Sequence, residues 1–184
     1  ATTTLYDGTS LVTSETTHIN QGQGATMNDG IGDTNNAIVE ATRPVLLAID
    51  GDGNDAYVPY PPTRRDLYGI QSRYGQVGAI ADGTSFDYYA TGSTTAWHVS
   101  NMDRGDVLEW YDDAYEDGGA PGISISNITK PLAAIQQADG DGGETTSFLP
   151  AKELAPEYML PTNAEYISVA CLPGPATNTI SIYD

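Results

Sequence analysis

Short runs of β-branched and aromatic residues recur along the chain between glycines, prolines and Asp-Gly pairs, and several alternate apolar with polar positions. Ile123 and Ile125 alternate with Ser124 and Ser126, and the stretch from Thr179 to Tyr183 repeats the pattern. Successive side chains of a strand point to opposite faces, so a period of two marks a half-buried strand. The pattern predicts strands over residues 5–13, 37–41, 44–50, 56–60, 67–74, 77–81, 86–91, 94–100, 107–111, 122–128, 165–172 and 179–183. Asp7-Gly8, Asp29-Gly30, Asp82-Gly83 and Asp117-Gly118 supply turn chemistry between them. Helical signal is confined to 130–138 and 150–158, both short. About a dozen strands in 184 residues predict an all-β fold, a single jelly-roll sandwich or barrel with minor short helices.

One domain is expected at this length. Residues 1–36 contain Thr2-Thr3-Thr4, Thr16-Thr17 and Gln21-Gly22-Gln23-Gly24 but few large apolar side chains. They read either as an extended N-terminal arm that orders against a neighbour or as a frayed, loop-rich segment, with 37–184 as the β-barrel core. The longest apolar run, around Val45 to Ile49, suits a strand and is far too short to cross a bilayer as a helix, so no direct membrane insertion is expected. No basic-then-apolar leader is visible, and a start at Ala1 fits removal of an initiator Met.

Charge sharpens this picture. The chain holds 7 Lys and Arg against 25 Asp and Glu, a net −18. Such a surplus destabilises the compact state at low ionic strength through self-repulsion. Salt removes most of the cost, because the screening length falls to roughly 3 Å at 1 M. Acidity together with only two lysines, Lys130 and Lys152, predicts a protein adapted to concentrated salt. The alternative is an acidic protein of ordinary salt whose charge repels wrong partners. Nucleic acid and anionic membrane surfaces both demand a cationic face, so neither is expected as a partner.

Candidate chemistry is sparse. Asp50-Gly51-Asp52-Gly53-Asn54-Asp55 has the oxygen density of a calcium loop, with Asp50, Asp52 and Asp55 as candidate ligands. It departs from the EF-hand, because Asp55 stands where Gly is required and Pro61 where Glu is required. Asp139-Gly140-Asp141-Gly142-Gly143-Glu144 is a similar acidic turn, and such loops are read as holding solvent and loosely bound Ca, Mg or Na ions. No cofactor is expected. His18 and His98 are the only histidines, and Cys171 is the only cysteine, in an apolar strand-like setting. Neither His-Glu-x-x-His nor Gly-x-Ser-x-Gly occurs, so no catalytic residue is assigned and the chain reads as a non-enzyme.

Twelve Tyr against two Phe and two Trp is a ratio that a core alone does not demand. Tyr suits surfaces that are apolar enough to bury yet wet at the rim, so Tyr57, Tyr60, Tyr88 and Tyr89 are read as contact residues. A solvent-facing sheet of amphipathic tyrosines is the competing reading. Arg64-Arg65 follows a proline-stiffened stretch and either docks on a neighbouring copy's carboxylates or pairs within the chain. Asn127-Ile128-Thr129 matches a glycosylation sequon.

Length, a start just after the initiator Met, acidity, the all-β pattern and the missing catalytic set together resemble one group. It is the smaller of the two major capsid proteins of haloarchaeal icosahedral viruses with an internal membrane. The resemblance implies a single upright β-barrel of jelly-roll type, made in the host cytoplasm and located in the virion capsid. It also implies pairing with copies of itself and with a larger capsid protein in pseudo-hexameric capsomers. No site residue is carried over from it. Three other readings stand beside it. One is a surface carbohydrate- or receptor-binding β-sandwich, with Trp97, Trp110 or paired Tyr as a sugar platform beside an acidic calcium loop. A virion decoration or turret protein lies between the two, and a carboxylate-based hydrolase is the third.

Overall fold

Alternation in the sequence becomes alternation in burial. The computed structural model describes residues 2–7, 10–21, 23, 25, 37–50, 56–69, 74–89, 95–111, 123–137, 145–158 and 181. Fourteen strands form there, and every ladder is antiparallel. They are β1 (Thr2–Asp7), β2 (Ser10–His18), β3 (Ala37–Ala41), β4 (Ile49–Asp50), β5 (Ala56–Tyr57), β6 (Leu67–Gly69) and β7 (Tyr74–Ala79). Then come β8 (Thr84–Tyr89), β9 (Trp97–Met102), β10 (Val107–Tyr111), β11 (Ile123–Ser126), β12 (Leu132–Gln137), β13 (Thr145–Ser147) and β14 (Leu149–Pro150).

A five-stranded sheet, β14-β6-β11-β8-β9, faces a four-stranded one, β10-β7-β12-β13. Leu67, Phe86, Ile123 and Ile125 of the first join Val77, Ala79, Leu132 and Ala134 of the second in one core. Both phenylalanines of the chain, Phe86 and Phe148, are completely buried in it, where a hydroxyl would need a partner. Trp97, Tyr88, Trp110 and Phe148 form a chain of ring contacts with centroids 6.2, 4.9 and 6.0 Å apart, leading from the exposed edge strand into the core. Such contacts each add about 0.5–1.5 kcal/mol beyond area burial.

The two layers form an open sandwich, not the closed barrel expected for 37–184. β9 and β14 bound one sheet, β10 and β13 bound the other, and no ladder joins these edges among the described residues. The chain changes layer at the turns 80–83, 103–106 and 127–131, and the facing strands meet through their side chains.

The expected helix over 130–138 is instead β12. Leu-Ala-Ala-Ile-Gln-Gln favours helix locally, but Leu132, Ala134 and Gln136 point inward in turn and the strand is paired on both edges. Two ladders and a buried face outweigh a propensity difference of a few tenths of a kcal/mol per residue. Of 150–158, only Ala151–Glu153 coils, as a single 3-10 turn.

The expected strand 67–74 is two strands in different layers, β6 and the start of β7. Expected strands 44–50 and 56–60 shrink to β4 and β5. Residues 5–13 belong to two paired strands rather than one: β1 and β2 are antiparallel neighbours pairing Thr2 with His18 and Asp7 with Ser10, and β3 adds to the other edge of β1. The Thr-rich start is therefore sheet over Thr2–Asp7 and Ser10–His18. The strands expected at 165–172 and 179–183 lie outside the described residues, Ser181 aside, as do Asp29-Gly30, Asp117-Gly118 and Cys171.

Two local devices shape the sandwich. On β9 the register slips, so Ser85 faces both Ser100 and Asn101; Asn101 takes φ 60° and its N–H donates to Ser85 Oγ at 3.2 Å. This bulge returns Met102 to the core. On the facing sheet, Trp110, Gly75 and Gln136 form one row across three strands. The indole lies over Gly75, where a Cβ would sit 2.0 Å from Trp110 Cζ2. Trp110 Nε1 and Gln136 Oε1, a donor and an acceptor flanking that glycine, are buried with no hydrogen-bond partner among the described residues.

Gly75→Ala is therefore expected to lower stability by about 1–3 kcal/mol through overpacking. Gly78→Ala, whose Cβ would meet nothing nearer than Val107 Cγ2 at 3.9 Å, should be neutral or stabilising by up to about 1 kcal/mol. Denaturant unfolding of both variants in molar salt checks the contrast.

Candidate functional site

Strand direction gathers charge at one end of the sandwich. β6 and β8 begin, and β9, β11 and β14 finish, at the same end of the five-stranded sheet. The turns 80–83, 103–106 and 127–131, the residues leading into β6 and the 3-10 turn after β14 therefore share that end. Thr63, bridged to Leu132 through two backbone hydrogen bonds of 2.9 and 3.0 Å, fixes the approach to β6. These stretches carry Arg64, Arg65, Arg104, Lys130 and Lys152, five of the chain's 7 cationic residues.

Arg104 is the most engaged of them. Asp103 N–H donates to Asp106 Oδ2 at 2.8 Å and Gly105 takes φ 88°, which closes the turn that presents Arg104. Arg104 N donates to Asp82 Oδ1 at 2.9 Å, and Nη1 donates to the Ile80 carbonyl at 3.0 Å. Nη2 pairs with Glu40 Oε1 at 2.8 Å, and the guanidinium lies 5.3 Å from the Tyr6 ring centroid. One side chain thus clips the β2-β1-β3 sheet to the sandwich. A partly exposed ion pair alone contributes little, about 0–1 kcal/mol; the planar fork joining carboxylate, carbonyl and ring at once makes this a clip. Lys130 Nζ donates to the carbonyl of Asp82 in the same region.

Tyr60 sits beside the cationic end. Its N–H donates to Ser147 Oγ at 2.9 Å and its hydroxyl to Glu153 Oε1 at 3.4 Å. Burial, then the Glu153 charge, pushes the phenol above its ordinary pKa, while Arg65 opposes the shift. Arg65, Asp66, Tyr68, Pro150, Ala151 and Lys152 line a shallow, open depression. Lys152 pairs with Glu153 at 2.6 Å, whereas the exposed Arg64 and Arg65 have no acidic partner among the described residues. The within-chain pairing of Arg64 and Arg65 considered from sequence is not formed there.

A second cluster lies on the outer face of the five-stranded sheet. Asp87 Oδ1 is 2.7 Å from His98 Nδ1, and Asp87 Oδ2 accepts from Asn127 Nδ2 at 2.6 Å. Asn127 stands at φ 51° in the turn after β11. Thr129 Oγ1 accepts from Ser85 N–H at 2.9 Å and donates to the Ser85 carbonyl at 3.2 Å. The sequon is thus built into the sheet's hydrogen bonding. The Asn127 bond, then the His98 bond, holds the Asp87 carboxyl below its ordinary pKa. Tyr68 and Tyr89 flank Ser124 in one cross-strand row of this face, both half-buried.

The other expected site residues are dispersed. Tyr88, read from sequence as a contact residue, points into the core and is 9% exposed, because it shares the face of Phe86; Tyr89 points outward. Tyr57 pairs its backbone with Ile49, and Asp50 with Ala56; their side chains lie outside the described residues, as do Asp52 and Asp55 entirely. Among the described residues no group of three or more His, Cys, Asp or Glu gathers to hold a metal. Trp110 is packed on Gly75 and the core rings, so it offers no sugar platform. Trp97 is half-exposed, and Val45, Leu46 and Val58 are exposed apolar side chains, Leu46 at 86%.

Sequence reasoning missed Asp87, Arg104 and Lys130. No local signal singles them out, since Arg104 bonds Asp82 and Glu40, Lys130 bonds Asp82 and Asp87 bonds Asn127, all distant in the chain. Compared with known protein families, characterised proteins and solved structures, the chain matches none.

Two outcomes are expected. Asn127→Ala should raise the Asp87 pKa toward the ordinary value of about 3.9, read by carboxyl NMR titration. A lowered folded-state pKa contributes stability that is present above the ordinary value and is lost as pH falls through the lowered one. Acid destabilisation below about pH 4 should therefore be weaker in the variant than in the parent. Arg104→Ala should speed amide hydrogen exchange in β1, β2 and β3 while β7, β8, β11 and β12 stay protected, and Arg104→Lys should not restore the parent rates.

Proposed function

We propose that this chain is a structural virion subunit, a single jelly-roll capsid protein that assembles with copies of itself and a larger capsid protein into an icosahedral shell in concentrated salt. The observation that carries the reading is nested strand pairing. A jelly roll is one long hairpin rolled over, so its strands pair first with last and inward from there, alternating between two sheets. Here β6 pairs with β11, β7 with β10 and β8 with β9, in the five-, four- and five-stranded sheets in turn. This nesting supports a jelly-roll reading shortened by its innermost pair, with β12 added on the other edge of β7.

Jelly rolls serve both shells and sugar-binding proteins, so the surface must choose between them. Exposed Val45 and Leu46, outside any strand on a chain of net −18, favour burial against another subunit. The charge supports assembly in brine, where repulsion between subunits is screened within roughly 3 Å. Half-exposed Trp97, at the edge strand β9, favours the second reading, a carbohydrate- or receptor-binding module or a virion decoration or turret protein.

Sedimentation and electron microscopy of the purified protein in molar salt, with and without a larger coat protein, test the choice. Large particles that dissociate on dialysis to about 0.1 M salt are expected, and Val45→Ser/Leu46→Ser should weaken them while leaving the melting temperature unchanged. A protein monomeric throughout would overturn the assembly reading; glycan binding lost on Trp97→Ala would establish the second.

A further inference from the structure

The five cationic residues at one end of the sandwich carry a statement about how copies meet. Within the stretches 63–66, 80–83, 103–106, 127–131 and 151–153 stand five Lys or Arg and five acids, Asp66, Asp82, Asp103, Asp106 and Glu153, a local balance of 5 − 5 = 0. The rest of the chain holds the other 2 Lys and Arg and 20 acids, and so all of the net −18. Arg104 and Lys152 are occupied by Glu40 and Glu153. Arg64 and Arg65 are exposed, have no acidic partner among the described residues, and stand beside the depression that Arg65 and Lys152 line.

We propose that this end docks onto the acidic surface of a second copy of the same chain, with Arg64 and Arg65 receiving the neighbour's carboxylates. The proposal rests on the self-assembly reading and adds to it a direction. The exposed guanidinium groups of Arg64 and Arg65 are complementary to a negative face, whereas two Arg64-Arg65 pairs or two negative faces repel, so the contact is heterologous and leaves a free end and a free face to continue the array. Planar guanidinium groups suit carboxylates because two parallel N–H donors match two oxygens. Concentrated salt favours the arrangement on distance grounds. Screening within roughly 3 Å suppresses repulsion between whole subunits, while a hydrogen-bonded pair at contact distance of about 2.8 Å lies inside that length.

The test uses the full chain in molar salt. Equal amounts of isotopically light and heavy protein are assembled and treated with a carbodiimide, which joins an amine directly to a carboxylate. Mixed-isotope links from Lys130 or Lys152 to acids outside the five stretches are expected; an assembly without them overturns the proposal. In parallel, Arg64→Glu/Arg65→Glu should weaken association about tenfold or more, as removal of close charge pairs does at other interfaces. Arg64→Lys/Arg65→Lys should weaken it less, and the melting temperature should hold in both. Parent-like association of the reversed, folded variant overturns this docking but leaves self-assembly standing. A parent chain that never associates overturns both. Should the reversed variant misfold, the cross-links decide.

Discussion

Two sheets stay together only where every second side chain on the facing strands is apolar and fits its opposite. Phe86, Ile125, Val77 and Leu132, each fully buried, meet that condition at the centre of the sandwich. Their contribution is large, about 1.5–3 kcal/mol for each such side chain. The same layer sets the cost of deviation: Trp110 has room only because Gly75 has no side chain. Everything outside this layer, from the β2-β1-β3 sheet to the charged turns, is positioned by strands whose inner faces it fixes.

Charge is the second constraint, and the topology divides it unevenly. A random scatter of 7 cations among 25 acids would leave every face negative. Instead, turns distant in sequence meet at one end of the sandwich and bring five cations with them. Some are used internally, as when Arg104 holds the first sheet in place. Arg64 and Arg65 have no acidic partner among the described residues, and polarity of this kind separates a subunit with a direction from a uniformly repelling particle.

What was legible in the sequence was local. Strand β10 matches residues 107–111 as read, and β11 and β8 fall within a residue or two of expectation, because alternation there is dense and nothing competes with it. Residues 130–138 misled because Leu, Ala and Gln favour helix, while one of the two ladders that override them comes from β7, more than fifty residues away in the chain. The break within 67–74 was hidden because periodicity does not register a change of layer. Tyr88 and Tyr89 are adjacent and must face opposite ways; Phe86, two residues earlier, held the phase that separates core from surface. In the candidate site, the Arg64-Arg65 pair was visible as neighbours in sequence. Its grouping with Arg104, Lys130 and Lys152 was not, since only the shared direction of strand ends creates it.

Nested pairing also sets an order in time. Closing a chain segment costs more entropy as it lengthens, so β8 and β9, joined by the shortest connection of the three pairs, can zip before β7 finds β10, and β10 before β6 finds β11. A polypeptide wound this way matures from the inside out. Its outermost strands are the last to be secured, and while they wait, β6 and β11 offer open edges to any other unfinished copy nearby.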